Sequence, residues 1–147
     1  MLISSIYKSL QRHVVEIMED IKLQTGVVDI EYWSWESRAD ENELPKKALI
    51  GLSGVDFNEN RGLWVIRAAV GLSPWEDKNL DETVRMLDVI YDHLGTGSKV
   101  NLLEPNSGAL ISELVVTDFQ MAPASTSELR NYRVVNFELL RTDTATV

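Results

Sequence analysis

The sequence of 147 residues contains no cysteine, only two histidines, and fewer basic than acidic residues, with 14 Lys and Arg against 23 Asp and Glu. Without cysteine the chain forms neither disulfides nor thiolate metal sites, which fits a cytosolic protein. The net charge of −9 argues against general nucleic-acid binding, because such binding depends on Lys and Arg that neutralise phosphates. The same charge disfavours a membrane-surface role.

Long apolar runs are missing too, since no segment approaches the ~18 consecutive apolar residues of a transmembrane helix. The first residues (MLISSIYKSLQRHVVEIMED) lack the small-residue cleavage site of a signal peptide, and their apolar positions are spaced as in a helix. A hydrophobic fraction of 44% is ordinary for a globular protein. We therefore expect one domain over residues 1–147, with a mobile loop near residues 36–47 and a short polar C-terminal tail.

Apolar residues at steps of three and four predict two amphipathic helices. The first runs from Leu2 to about Thr25, where Gly26 is placed to end it in a left-handed cap. The second begins after Asn79, a good capping residue, and runs to about Leu94. Gly95 then ends it.

Alternating or continuous apolar segments predict the strands. In the last strand, Val135, Phe137 and Leu139 share one face, with Arg133 and Arg141 at its margins. Ser53-Gly54 indicates a bulge or turn after the second strand. The predicted strands are Val27–Trp35, Ala48–Leu52, Leu63–Leu72, Ala109–Met121 and Asn131–Thr142. Strands grouped between helices favour an α+β fold, with a mainly antiparallel sheet and both helices packed on one face.

Three short patterns resemble functional motifs but fit them poorly. The segment GTGSK at residues 95–99 lacks phosphate-loop spacing and follows a helix, so a turn is the better interpretation. GLSG at residues 51–54 is one residue short of a nucleophile elbow. His13, Glu16 and Asp20 share a helix face that could bind a metal, but a solvated face explains them better. We predict no catalytic residue, no metal site and no cofactor.

A protein interface is the more promising kind of site. Trp33 and Trp35 share a strand face with acidic residues, whereas Trp64 shares one with apolar residues and is expected in the core. Aromatic residues on partly polar surfaces often anchor interfaces, although packing against the first helix explains Trp33 and Trp35 equally well. The acidic loop could dock on a neighbour or simply be solvated. The candidate interface residues are Trp33, Trp35, Asp40, Glu41, Glu43, Trp75, Arg133 and Arg141.

Taken together, the chain resembles the tail terminator, or tail completion, proteins of long-tailed bacteriophages. The resemblance is one of length and pattern over most of the chain, without a diagnostic motif. The segments that carry it are the N-terminal amphipathic helix, ALIGL, LWVIRAAVGL, LDETVRMLDVIYDHL and the closing strand YRVVNFELLR.

The resemblance implies a non-enzymatic α+β subunit of the virion, made in the host cytoplasm. Such subunits form a homo-hexameric ring at the head-proximal end of the tail tube, where the ring stops tube growth and joins the tail to the head connector. The implied partners are the subunit itself, the tube protein, the connector protein and, in contractile tails, the sheath protein. DNA would pass through the ring's lumen without specific binding, and no membrane is involved.

Other functions remain open at this point. Another connector, neck or baseplate subunit would also assemble, but with a different partner. A small-molecule-binding domain or an enzyme would have a deep pocket with convergent polar groups. A stand-alone adaptor would remain monomeric until its partner arrives.

Overall fold

The fold is seen in a computed structural model, which describes residues 2–33, 46–74, 81–123 and 133–142. Within these residues, two helices and six strands make it an α+β fold, as the sequence predicts. In chain order the elements are α1 (Leu2–Thr25), β1 (Ile30–Tyr32), β2 (Ala48–Asn60), β3 (Leu63–Ser73), α2 (Asp81–Leu94), β4 (Lys99–Leu103), β5 (Leu110–Pro123) and β6 (Arg133–Thr142).

The strands form one six-stranded sheet in the order β1-β2-β3-β6-β5-β4. All pairings are antiparallel except that of β1 with β2, which is parallel. The β2–β3 hairpin turns at Arg61 and Gly62, both with positive φ, which suits the right-handed twist of the strands. The chain then passes through α2 to the far edge of the sheet, and β6 returns to lie between β3 and β5.

Both helices pack against one face of this sheet, as predicted. The buried residues of α1 recur at helical spacing, and those of α2 do the same. Together with alternate residues of the strands they form one apolar core. Its fully enclosed members include Ile6, Leu10, Ile17, Ile21, Ile50, Leu52, Ile66, Leu72, Met86, Ile90, Leu94, Val135 and Leu139. Trp64 lies at the margin of this core, on the predicted strand face.

The ends of the helices follow local sequence signals. Gly26 has a φ of 77°, so the left-handed cap predicted for α1 is confirmed. At the end of α2, the Gly95 N–H donates to the carbonyl of Tyr91 at 2.7 Å. The left-handed residue there is Gly97, with a φ of 91°. Residues 95–98 are thus the predicted turn, and no strand leads into them as a phosphate loop would require.

Two predicted strands had wrong boundaries, and one strand was not located. In the described part of the predicted strand Val27–Trp35, which ends at residue 33, the strand is Ile30–Tyr32, because Val28 is exposed and precedes any pairing. The strand predicted to end at Leu52 continues to Asn60, since Gly54 forms a bulge within the ladder rather than a turn. The sequence predicted two or three strands after α2 but did not locate β4. Its five residues hold only two buried apolar side chains, Val100 and Leu102, which is too short a pattern to recognise.

Candidate functional site

The face of the sheet opposite the helices, which we call the outer face, carries a grid of polar residues. Because side chains alternate along a strand, the residues between the core positions of β3 point to this face. The strand register aligns Arg67 with Asp56 of β2 on one side and Glu138 of β6 on the other, and Glu138 in turn with Asp118 of β5. One charged row therefore crosses four adjacent strands.

A second row lies beside the first and is uncharged. Ala69 pairs with Gly54 on one side and Asn136 on the other, and Asn136 pairs with Gln120. The two small residues leave open space above β2 and β3, while the two amides border it on β6 and β5. Together the rows line a groove of about 530 Å³, which we call the outer groove.

Two bulges border the outer groove. One lies between Leu52 and Gly54 in β2, and the other between Val116 and Asp118 in β5. A bulge bends its strand and increases the local twist, so bulges on both sides curl the sheet around the rows between them. The sequence predicted a bulge or a turn at Ser53-Gly54, and the structure has the bulge. The second bulge contains no glycine from which it could have been predicted. The groove is thus a consequence of backbone irregularity as well as of small side chains.

The charges of the outer groove do not balance. Arg67 Nε lies 3.3 Å from Glu138 Oε2, and Thr117 Oγ1 donates to Glu138 Oε1 at 3.4 Å. The carboxylate of Asp118 accepts a bond from the Gln120 amide at 3.4 Å. Since one guanidinium faces three carboxylates, the groove is acidic, and its ion pair is largely solvated. Such an exposed pair contributes only about 0–1 kcal/mol to stability.

A second polar cluster joins α1 to α2. His93 Nε2 lies 2.7 Å from Asp20 Oδ2, and the same carboxylate accepts a bond from Gln24 at 2.8 Å. His13 Nε2 lies 3.4 Å from the main-chain carbonyl oxygen of His93, and His13 Nδ1 lies 3.7 Å from Glu16 Oε2. The sequence placed His13, Glu16 and Asp20 on one helix face, but it did not foresee that His93 completes the cluster.

The surroundings of this cluster shift two pKa values. Burial lowers the pKa of His13 below its ordinary value of 6.5, and the nearby charge of His93 lowers it further, against the raising effects of the His93 carbonyl and Glu16. The hydrogen bond from His93 lowers the pKa of Asp20, with help from Gln24. At neutral pH His13 is therefore neutral and Asp20 ionised. Within the described part of the chain, no three His, Asp or Glu side chains are arranged to hold a metal ion.

The structure places only three of the predicted interface residues, and it does not bring them together. Trp33 follows β1 and is half-buried. Its main-chain N–H donates to the Ile50 carbonyl at 2.9 Å. Arg133 and Arg141 pair with opposite ends of β3, so the length of β6 separates them. Arg141 is half-buried and lies opposite Trp64. Outside the described residues are Trp35, Asp40, Glu41, Glu43 and Trp75.

The residues of the outer groove were missing from the sequence-based candidates. The one available signal was Arg67, a single charge in an otherwise apolar strand. Its neighbours in the row come from strands that are distant in sequence, so the row exists only once the strand order is known. Neither helix of the described structure has the length and apolarity needed to cross a membrane. Comparison of the chain with known protein families and with curated proteins finds no match in either set.

Proposed function

We propose that this protein is a structural subunit that closes into a ring and serves as a tail terminator of a long-tailed bacteriophage. In this proposal it binds the end of the tail tube, stops tube growth and offers a surface to the head connector. It catalyses no reaction. The proposal rests on the resemblance of sequence pattern together with the form of the sheet.

The observation that carries the proposal is the outer face, which neither of the two described helices covers and which carries the acidic outer groove. The charged row of this face needs no protein cover, and its acidic residues repel the phosphates of DNA. We therefore assign the outer face to the lumen of the ring, where DNA would pass without being held. The helices then lie on the outside.

The two ends of the sheet supply the second part of the argument. Among the described strands, β1 and β4 each pair on one side only. A ring forms through head-to-tail contacts that close by rotation, and open sheet edges at opposite ends of a subunit suit such contacts. The outer groove itself is open and lined by charges and amides, unlike the enclosed and mostly apolar pockets typical of small-molecule sites. Contact with other macromolecules is the better-supported use of this surface.

The first test is the mass of the assembly in solution. Native mass spectrometry of the purified protein, with negative-stain electron microscopy of the same sample, should show a closed ring of about six subunits. If the ring closes only on its template, adding a tail tube protein should give capped tubes of arrested length. A monomer that neither assembles nor caps tubes would contradict the proposal and favour an adaptor.

The lumen assignment has its own test, which uses the absence of cysteine from the sequence. A single cysteine at Asp118→Cys can be labelled with a maleimide–gold particle without competing thiols. In images of assembled rings we expect the gold at the centre. The matched control is Asp92→Cys on the exposed side of α2, where the gold should lie at the periphery. Gold from both variants at the periphery would contradict the lumen assignment while leaving the ring itself intact.

A further inference from the structure

The chain has only two histidines, and the fold brings them into contact. His13 in α1 and His93 at the end of α2 are separated by 80 positions in sequence, yet their ring centroids lie 5.7 Å apart at an interplanar angle of 73°. We propose that this pair is a proton-operated clamp between the two helices. At neutral pH it holds the end of α2 on α1, and protonation of His13 releases that end.

The closed state depends on reciprocal bonds between the helices. A neutral His13 ring with hydrogen on Nε2 donates to the His93 carbonyl, a contact of 3.4 Å. His93 in turn bonds Asp20 on α1, at 2.7 Å. With the hydrogen on Nε2, Nδ1 of His13 carries a lone pair and makes no hydrogen bond with Glu16 Oε2, which lies 3.7 Å away. Each helix thus binds the histidine of the other. One neutral imidazole, that of His13, is enough to keep the two helices together.

Protonation affects the two rings differently. His93 Nε2 lies 2.7 Å from the Asp20 carboxylate, so its ring has an acidic partner. A proton on His13 is opposed, because the side chain is only 12% exposed and because a charged His93 is its neighbour. The carboxylate of Glu16 favours a proton on His13 only weakly, since the Glu16 side chain is 63% exposed and solvent screens the pair. Besides Glu16, the charged group that faces the two rings is Asp20 on α1. The turn at residues 95–98 carries no titratable side chain.

The direction of the pH effect follows from the lowered pKa of His13. A base whose pKa is lower in the closed state binds its proton more readily once the end of α2 separates from α1. The clamp is therefore fully effective above pH 6.5, the ordinary value for histidine, and weakens as the pH falls below it. Loss of Asp20 ionisation at still lower pH acts in the same direction.

Release would expose apolar surface that is otherwise hidden. Ile90 and Leu94, on the last two turns of α2, are fully buried. Tyr91 lies edge-on to Phe119 of β5, with ring centroids 5.3 Å apart, so it partly covers that core residue. An opened α2 end therefore exposes a new apolar surface in mildly acidic conditions.

Hydrogen exchange monitored by NMR tests the clamp in the full chain. After correction for intrinsic rates, the amides of α2 from Val89 to Leu94 should lose protection between about pH 7 and about pH 5. Uptake of one proton on opening allows a change of up to about tenfold in the opening constant for each pH unit. The amides of β3, in the centre of the sheet, should keep their protection.

Two variants separate the clamp from general acid sensitivity. His13→Gln keeps an amide donor for the His93 carbonyl but cannot titrate, so its α2 amides should show no pH-dependent loss. Glu16→Gln, the matched control, removes a neighbouring carboxylate and leaves both rings, so the loss should persist. Equal loss of protection in the wild type and in His13→Gln would overturn the proposal. If His13→Gln does not fold, the NMR titration of the wild-type rings decides, because titration of His13 at or above pH 6.5 would also overturn it.

Discussion

At the scale of single residues, Gly51 is a position where the fold leaves no room for a side chain. A Cβ atom there would lie 1.7 Å from the carbonyl oxygen of Trp33, closer than any van der Waals contact. We expect Gly51→Ala to displace the segment after β1 and to break the bond from Trp33 N–H to the Ile50 carbonyl. The free energy of unfolding should fall by about 2–4 kcal/mol, the sum of overpacking and one lost hydrogen bond. Chemical denaturation measures this loss.

The matched control is Gly54→Ala, three positions later on the same strand. A Cβ atom at Gly54 would have no neighbour within 4 Å, and its backbone lies outside the left-handed region. This variant should change the free energy of unfolding by about 0.5 kcal/mol or less. Equal effects of the two substitutions would show that the loss at Gly51 comes from the flexibility of glycine rather than from the contact with Trp33.

These two glycines also show which residue-level facts a sequence can reveal. Gly54 follows Ser53 after an apolar segment, and this local pattern predicted a bulge or a turn, of which the structure contains the bulge. Gly51 has no local signature. Its constraint comes from Trp33, which reaches it through the parallel pairing of β1 with β2, and that pairing depends on tertiary structure.

At the scale of elements, one serine attaches α1 to the edge strand β4. Ser9 Oγ accepts a bond from the Leu103 N–H at 2.9 Å and lies 3.4 Å from the Leu103 carbonyl. The residue is only 4% exposed, so water does not readily replace the hydroxyl. Ser9→Ala should lower the free energy of unfolding by about 1–3 kcal/mol, because it leaves a buried N–H without its partner. Hydrogen exchange should locate the loss in β4.

Ser4→Ala is the control for this substitution, since Ser4 lies on the exposed side of the same helix. Alanine has the higher helix propensity, so the control should be neutral or stabilise the protein by a few tenths of a kcal/mol. If Ser9→Ala is as harmless as Ser4→Ala, the end of β4 does not depend on α1.

The dependence of β4 on α1 explains why this strand was missed while both helices were predicted. A helix of 24 residues repeats its apolar spacing often enough to be recognised without its neighbours. β4 has five residues, follows a turn rich in glycine, and is stabilised by pairing with β5 and by Ser9. Its formation depends on contacts that local propensity does not contain.

At the scale of the whole molecule, the order of the strands creates the candidate site. Asp56 and Arg67 lie on one hairpin, and the sequence alone could have paired them. Glu138 and Asp118 join their row only because β6 inserts between β3 and β5, after a crossover through α2. Hydrophobic pattern predicted the layers and the covered face, but it does not specify strand order. The acidic character of the outer face was therefore hidden among 23 acidic residues.

The net charge of −9 makes ring closure sensitive to salt if the ring forms as proposed. Copies of like charge repel one another, and the Debye length falls from about 30 Å at 0.01 M to about 10 Å at 0.1 M salt. We therefore expect sedimentation velocity to show tighter self-association as ionic strength rises. Weaker association at high salt would mean that ion pairs hold the subunits together, and that the repulsion is outweighed.

The position of the charges makes this prediction specific. If the outer face lines the lumen, acidic residues of neighbouring copies face one another there, and their repulsion is stronger than that between distant surfaces. Asp56→Asn with Asp118→Asn should then strengthen association at low salt more than Asp88→Asn with Asp92→Asn, an equal change in net charge on the exposed side of α2. Equal effects of the two pairs of substitutions would mean that only the net charge matters. That result would contradict the assignment of the outer groove to the lumen.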